Sequence, residues 1–191
     1  DRYSVSHYLR ESDGRPALLA IVADGIGGHQ AGEVAAQITI DTVRTSIAAV
    51  DGKEPLAELR EAVVSAGRLV MESSALDEAL RGMGSTVAVV WMIDHRLYTV
   101  SVGDSRIYLL REGRLKQISI DHTWVQEAVL HGILTPEEAR VHPNAHVLHR
   151  HLGGDRDPVP DFRLRLSDSE SDPQSESNQG LQLMPGDQLL L

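Results

Sequence analysis

The sequence predicts an α+β domain in which two long helices precede an antiparallel sheet. Three observations support this prediction: apolar residues recur at helical spacing over residues 33–50 and 55–80, short turns separate the apolar runs of residues 86–118, and shorter helical segments follow. Turns this short leave no room for helical crossovers, so the strands they join must be antiparallel. At 191 residues, the chain has the length of one domain.

The first part of the chain is expected to form two strands and then the two long helices. The predicted elements are strands at residues 3–9 and 18–23 and helices at residues 33–50 and 55–80. The second strand is a short apolar run that ends at Asp24. Four glycines within residues 25–32 predict a tight loop after it. Pro55 suits the first turn of the second helix.

The second part of the chain is expected to open with a four-stranded meander. Its predicted strands are residues 86–93, 97–102, 107–110 and 115–118. The turn at residues 103–105 is expected to let the third strand pair back on the second. Residues 123–132 predict a short helix, and Thr135 opens a capping box for another. A strand is expected at residues 160–166, and the polar, acidic residues 167–180 are interpreted as a surface linker or disordered insertion.

Composition excludes several classes of function. Lys and Arg number 18 against 28 Asp and Glu, and the formal net charge of −10 argues against a nucleic-acid or anionic-membrane surface. No apolar run reaches the length of a membrane span. The absence of cysteine removes thiolate nucleophiles and cysteine zinc sites. The excess of carboxylates favours hard cations such as Mg²⁺ or Mn²⁺, and a cytoplasmic setting fits.

Two acids stand next to glycine at predicted strand ends. Asp24 and Gly25 lie where a buried strand enters a glycine loop, a common position for ligand binding. Spacing alone leaves open whether Asp24 binds a ligand or forms an Asx turn. Asp104 lies in a predicted β-turn, where an acid is commonly structural. No His and carboxylate pair is placed by the sequence to activate Ser85 or Ser105, and the hydroxyls of Ser85 and Thr86 are expected to bond backbone.

Two competing interpretations of these segments are weaker. The glycine loop resembles the start of a dinucleotide fingerprint, but Gln30 stands where the last glycine is needed, and a second helix follows instead of a returning strand. Four histidines have spacings that a zinc site could use, but their neighbours are typical of a solvated loop. They are His142, His146, His149 and His151.

Five ordered segments together resemble the bacterial PPM-type, or type 2C, serine/threonine protein phosphatases. They are Asp24-Gly25-Ile26-Gly27-Gly28-His29 with residues 31–35, Gly84-Ser85-Thr86, residues 102–108, residues 121–127 starting with Asp121-His122, and residues 135–143. The last two are similar to the family's mobile flap. The resemblance spans essentially the whole chain, and five motifs in the right order are highly specific.

The resemblance implies a four-layer α-β-β-α sandwich of two antiparallel sheets flanked by helices, with two Mn²⁺ or Mg²⁺ ions at one end. Asp24 would bridge both ions, and the carbonyl of Gly25 would complete one coordination sphere. Asp104 matches the position that holds a third, weaker ion. Asp1 resembles the acid of the family's first motif, near the catalytic water, so Asp1 and Asp24 are the expected catalytic residues.

The sequence also departs from the family pattern. Residues 1–191 are expected to form a single phosphatase domain that lacks its first strand and its C-terminal strands, with residues 167–180 as an acidic surface insertion. The matching Glu and phosphate-binding Arg would lie before Asp1, and two further metal-binding aspartates would follow Leu191, so this segment alone is expected to be incomplete. Ile26 occupies the place of a general-acid His in animal members, and His29 does not match that place.

The leading hypothesis is metal-dependent hydrolysis of phosphoserine and phosphothreonine in proteins by water at the binuclear centre. Expected partners are Ser/Thr-phosphorylated proteins, including a cognate protein kinase, with no nucleic acid and no membrane contact, and the protein is expected to be a monomer. The alternative is a phosphatase-like regulatory or binding module without turnover. A third hypothesis, a nucleotide-dependent oxidoreductase, depends on the defective fingerprint alone.

Overall fold

The structure, a computed structural model, describes residues 1–191 with the exception of the side chain of His29. The strands are β1 (Arg2–Leu9), β2 (Pro16–Ala23), β3 (Gly25–Ile26), β4 (Gly84–Ser85), β5 (Val87–Ile93), β6 (Arg96–Val102), β7 (Tyr108–Arg111), β8 (Arg114–Gln117), β9 (Leu181–Gln182) and β10 (Gln188–Leu190). The helices are α1 (His29–Ala48), α2 (Pro55–Leu76), α3 (Trp124–Leu130), α4 (Pro136–Arg140) and α5 (Asp172–Ser177), with a 3₁₀ turn at Glu78–Leu80.

The strands form two larger antiparallel sheets and one small ribbon. The first sheet has the order β1-β2-β5-β6-β9, the second has the order β10-β7-β8, and β3 pairs with β4. Every one of these pairings is antiparallel. The predicted α+β class with antiparallel sheets and helices is therefore confirmed. The same topology contradicts the oxidoreductase hypothesis, since β2 pairs antiparallel with both of its neighbours and α1 leads into α2.

Apolar side chains on the two faces of the first sheet fill two separate cores. Val89 and Trp91 on β5 point into the core shared with α1 and α2. Ala88 and Val90 point the other way, into the core shared with Leu109 of the second sheet. β5 is buried on both faces, as its unbroken apolar run predicts. The helices α1 and α2, the first sheet and the second sheet thus pack on one another in that order.

The predicted pairing of the third meander strand on the second is wrong. β7 pairs with β8 and β10 in the second sheet, so the chain leaves the first sheet after Val102. Gly103, with φ of 103°, makes this departure in a conformation that side-chain-bearing residues rarely adopt. The crossing carries Asp104, a predicted metal ligand, away from β6.

Three further predictions are corrected. The glycine loop is shorter than predicted, because residues 25–26 form β3 and α1 begins at residue 29. Residues 160–166 do not form the predicted strand and make only one isolated bridge, from Ser101 to Asp161. The Asp161 side chain accepts a hydrogen bond from the backbone N–H of Arg163, so that N–H is not available for pairing with a neighbouring strand. Residues 167–180 are not a structureless linker, since α5 starts there with a capping box at Ser171.

No helix that the structure describes is long and apolar enough to cross a membrane.

Candidate metal centre

Asp24 combines a fixed backbone with a free side chain. It follows buried Ala23 at the end of β2 and is itself exposed. Its carbonyl accepts a hydrogen bond from the backbone N–H of Thr86 at 2.8 Å, and its own N–H donates to Oγ1 of Thr86 at 3.1 Å. Among the described side chains, none donates a hydrogen bond to the Asp24 carboxylate or forms an ion pair with it. Both of its oxygens are therefore available to a ligand.

Gly25 and Gly32 let β3 lie directly on the first turns of α1. A Cβ atom at Gly25 would come within 1.8 Å of the carbonyl oxygen of Gly32, and a Cβ at Gly32 within 2.7 Å of the Gly25 oxygen. Because both partners are backbone, neither contact can be relieved by a rotamer change. The glycines of this loop thus fix the position of the Asp24-Gly25 peptide against the helix.

Asp1 lies in the same cleft as Gly25. The cleft has a volume of about 410 Å³ and is also lined by Arg2, Gly28 and Glu33. Arg2 forms an ion pair with Glu33 and donates to Gln37, which attaches the start of β1 to α1. Asp1 and Gly25 therefore line one cleft at the end of β2.

Asp104 is linked to Asp24 through Thr86. Oγ1 of Thr86, which accepts from the Asp24 N–H, is 2.6 Å from Oγ of Ser105 and shares a hydrogen bond with it. Gly103 lies against the other side of Thr86, since a Cβ at Gly103 would be 2.6 Å from the threonine Cγ2. The two acids therefore flank one buried threonine. Asp104 is half-buried, opens into a second, larger cleft, and its carboxylate accepts no hydrogen bond from a described side chain.

A buried charged network lies behind the Asp104 loop. The Gly103 N–H donates to Nδ1 of His122 at 3.0 Å, and Nε2 of His122 is 2.9 Å from Oδ2 of Asp161. Arg163 donates to both oxygens of Asp161 through its Nε, and its other end reaches Asp172 at 3.0 Å. Burial opposes ionisation of Asp161, but the hydrogen bonds from His122 and Arg163 outweigh it and hold the pKa of Asp161 well below its usual range.

This network predicts a loss of stability in acid. Because the pKa of Asp161 is lower in the folded than in the unfolded state, its contribution is present above about pH 4, the ordinary Asp value, and is lost as pH falls further. Asp161→Asn should lower the free energy of unfolding at pH 7 and should lose less than wild type between pH 5 and pH 3. Urea unfolding at pH 7, 5 and 3 measures this. Asp155→Asn, at an exposed carboxyl, should follow the wild-type curve, and equal losses for all three proteins would contradict the prediction.

The donor chemistry of the site suits a hard divalent ion. Asp24, Asp104 and Asp1 offer oxygen only, and Mg²⁺ commonly binds through one or two carboxylates while it keeps several waters. Among the described residues, no three His, Asp or Glu side chains are grouped so as to hold a metal ion. Of the four histidines considered for zinc, His142 stacks on Trp124 with ring centroids 4.8 Å apart.

Sequence reasoning missed the residues that position this site. Thr86 was expected only to bond backbone, which it does, but its link to Ser105 was not foreseen. His122 was assigned to the flap resemblance, whereas the structure buries it beneath Gly103. The only local signal for Asp161 was its spacing of two residues from Arg163. The side chain of His29 lies outside the part of the chain that the structure describes.

Comparison with known proteins identifies the class to which this fold and site belong. The family model for protein phosphatase 2C matches residues 6–142, a range that includes Asp24, Gly25 and Asp104 but not Asp1. The chain therefore belongs to the protein phosphatase 2C family, whose members are metal-dependent phosphatases.

Individual relatives agree with this assignment. The chain is 40% identical over 173 residues to the serine/threonine protein phosphatase PstP of Mycobacterium tuberculosis, covering 84% of this chain and 33% of that protein. It is 37% identical over 171 residues to the protein phosphatase PhpP of Streptococcus pneumoniae, covering 86% and 67%. The chain thus spans about a third of the length of the mycobacterial relative.

Solved structures show the same fold. The S. agalactiae serine/threonine phosphatase superposes with a TM-score of 0.75 at 28% identity, covering 98% of this chain and 70% of that one. The structure of M. tuberculosis PstP gives a TM-score of 0.68 at 33% identity, with coverage of 98% and 76%. These neighbours support the sandwich architecture that the resemblance implies.

Proposed function

We propose that this chain carries part of the catalytic site of a phosphatase that hydrolyses phosphoserine and phosphothreonine in proteins. The observation that supports this most directly is the pair of unpaired acids, Asp24 and Asp104, held on either side of Thr86 in a chain of the protein phosphatase 2C family. A metal-dependent hydrolase needs carboxylates that are free to bind ions and are held in place by a rigid backbone, and both acids meet this requirement.

Asp24, Asp104 and the carbonyl of Gly25 are the proposed metal ligands, and Asp1 is the proposed neighbour of the catalytic water. We propose two Mn²⁺ or Mg²⁺ ions near Asp24 and Gly25 and a third, weaker one at Asp104. Bound ions would lower the pKa of water and neutralise the phosphate oxygens during in-line displacement. The protein's contribution is to hold the acids at fixed positions, which the Thr86 bonds and the contact between Gly25 and Gly32 accomplish.

The nucleophile is proposed to be water, because the hydroxyls near Asp24 are already engaged. Oγ of Ser85 donates to backbone carbonyls of Thr86 and Asp24, and Oγ of Ser105 shares a hydrogen bond with Thr86. Ser85 and Thr86 are buried. The chain has no cysteine. The serine and threonine hydroxyls that flank the two acids thus hold the fold together and are not the proposed nucleophile that attacks the phosphate.

The larger cleft is proposed to receive the peptide around the phosphorylated residue. It has a volume of about 880 Å³ and runs from Asp104 past Arg165 to Arg140 on α4. Its other charged groups are engaged elsewhere, since Arg106 binds Asp121 at 2.6 Å and Asp168 accepts from Lys116 at 2.7 Å. Arg140 is exposed and makes no ion pair with a described side chain, so it is available to an acidic group of the substrate.

Arg140→Ala is therefore expected to affect peptides more than small substrates. Hydrolysis of an acidic phosphothreonine peptide should lose about 3- to 10-fold in kcat/KM, because a solvent-exposed charge pair contributes about 1 kcal/mol. Hydrolysis of p-nitrophenyl phosphate, which cannot reach α4, should be unchanged. Steady-state kinetics with both substrates gives the ratio. Equal losses on both, or no loss on the peptide, would contradict this use of the cleft.

Further proposals concern the domain organisation, the cellular location and the oligomeric state. We propose that residues 1–191 belong to one phosphatase domain, supported by the continuous apolar core between the two sheets, and that residues 167–180 are a surface insertion. We also propose that the protein is a cytoplasmic monomer whose substrates include a cognate protein kinase. Size-exclusion chromatography with light scattering and dephosphorylation of that kinase would test these points.

Phosphate release by the full-length protein tests the main proposal. Release from a phosphothreonine peptide should require Mn²⁺ or Mg²⁺ and stop when the ion is chelated. The alternative, a regulatory module without turnover, is favoured by one observation, the lack of a three-residue metal cluster among the described side chains. That alternative is established if the full-length protein binds Mn²⁺ and phosphopeptide but releases no phosphate.

A further inference from the structure

Gly103, the residue before Asp104, is attached to His122 at two points. Its N–H donates to Nδ1 of the imidazole at 3.0 Å, and its carbonyl accepts from the His122 N–H at 2.9 Å. On its other side it lies against Thr86. The Gly103 peptide is thus held between two buried residues, and the position of the Asp104 carboxylate depends on both.

The hydrogen bonds determine the tautomer of His122. The Gly103 N–H can only donate, so Nδ1 must be an unprotonated acceptor. The proton of the neutral ring then lies on Nε2, which donates to Asp161 at 2.9 Å. His122 is about 3% exposed, so water does not replace either bond. Asp161 therefore selects the tautomer that can hold Gly103.

Asp161 is itself held in place from behind. Arg163 donates to both of its carboxylate oxygens and also binds Asp172 at the start of α5. The Asp161 backbone pairs with Ser101 on β6, with N–O distances of 3.0 Å in both directions. The acceptor for His122 is thus anchored both to the first sheet and to α5.

We propose that His122 is a positioning residue for the metal-binding loop, kept by Asp161 in the Nε2–H tautomer so that its Nδ1 orients Gly103 and hence Asp104. This role rests on the proposed function in one respect only, the assignment of Asp104 as a metal ligand. His122 touches neither the substrate cleft nor the Asp104 carboxylate among the described contacts, so it acts through Gly103.

Two substitutions in the full-length protein separate the two ends of the imidazole. In His122→Asn, the side-chain oxygen lies near the Nδ1 position and can still accept from Gly103. In His122→Gln, the amide reaches the Nε2 position, so it keeps the contact with Asp161 but leaves Gly103 without an acceptor. His95→Gln is the matched control, in the exposed turn roughly 20 Å away at the far end of β5.

Mn²⁺ titration by calorimetry and the Mn²⁺ concentration for half-maximal phosphate release are the readouts, with thermal melts to verify folding. We expect His122→Gln to need about 10-fold more Mn²⁺ for half-maximal binding and activity, which is the lower end of the effects seen when residues that support metal ligands are replaced. The Mn²⁺ requirement of His122→Asn should stay within about 3-fold of wild type. The control should be unchanged. Long-range ¹⁵N NMR of the imidazole should show protonated Nε2 and unprotonated Nδ1.

A protonated Nδ1 in the folded protein would overturn the proposal, as would equal Mn²⁺ requirements for the Asn and Gln variants. If the Gln variant does not fold, a folded Asn variant with weakened Mn²⁺ binding overturns it, and one with wild-type binding supports it. Wild-type protein that binds Mn²⁺ but releases no phosphate refutes the proposed function alone, because the NMR and calorimetric comparisons still decide the role of His122.

Discussion

Asp24→Asn is expected to abolish phosphate release while the protein stays folded. The backbone N–H and carbonyl of Asp24 make its structural hydrogen bonds, and asparagine keeps both. The carboxylate is exposed and contacts no described partner, so its loss leaves no packing defect. If Asp24 is the proposed ligand shared by two ions, its loss should cost at least about 10³-fold in kcat, which corresponds to roughly 4 kcal/mol of transition-state stabilisation.

Folding and metal binding can be measured separately from turnover for this variant. In wild type, saturating Mn²⁺ should raise the melting temperature, since a ligand that binds only the folded state stabilises it by mass action. Asp24→Asn should melt near the metal-free wild type and gain little from Mn²⁺. Asp155→Asn, at another exposed carboxyl, should behave like wild type in every assay. Full activity of Asp24→Asn would contradict the assignment of Asp24 as the central ligand.

Local pattern was sufficient to predict most elements of the fold. The apolar run of β5 predicted a strand buried on both faces, and helical spacing predicted α2 from Pro55 onward. The hydrophobic pattern did not predict correctly which strands pair with each other. A short alternating run such as β7 indicates a strand but not which sheet it joins, and here the backbone of Gly103 makes that choice.

For the candidate site, too, the sequence predicted local features but not contacts between distant segments. Motifs of consecutive residues predicted Asp24, Gly25 and Asp104 as ligands, because glycines that free the backbone for a ligand are expected next to a ligating acid. They could not identify the contacts that hold those acids, since Asp24 meets Thr86 across 62 positions and His122 meets Asp161 across 39. Hydrogen bonds between distant segments leave no spacing to detect in a single sequence.

Gly25→Ala is expected to cause the largest loss of stability among single methyl additions at the glycines of this site. The new Cβ would stand 1.8 Å from the carbonyl oxygen of Gly32, far inside contact distance. Relief requires β3 to separate from α1, which also disturbs the pairing of Gly25 with Ser85. We expect the free energy of unfolding to fall by about 4 kcal/mol or more, in the range reserved for severe core defects, since typical domains have only about 5–15 kcal/mol in total.

Gly154→Ala is the matched control for this backbone clash. A Cβ at Gly154 would be 3.1 Å from Cε1 of His151, a side-chain atom that can move, so its cost should stay below about 1 kcal/mol. Urea unfolding of both variants by linear extrapolation gives the comparison. Because the displaced segment carries Asp24, Gly25→Ala should also lose Mn²⁺-induced stabilisation at temperatures where it remains folded. A Gly25→Ala protein as stable as the Gly154→Ala control would show that β3 can leave α1 freely, and the rigid presentation of Asp24 would then have to be abandoned.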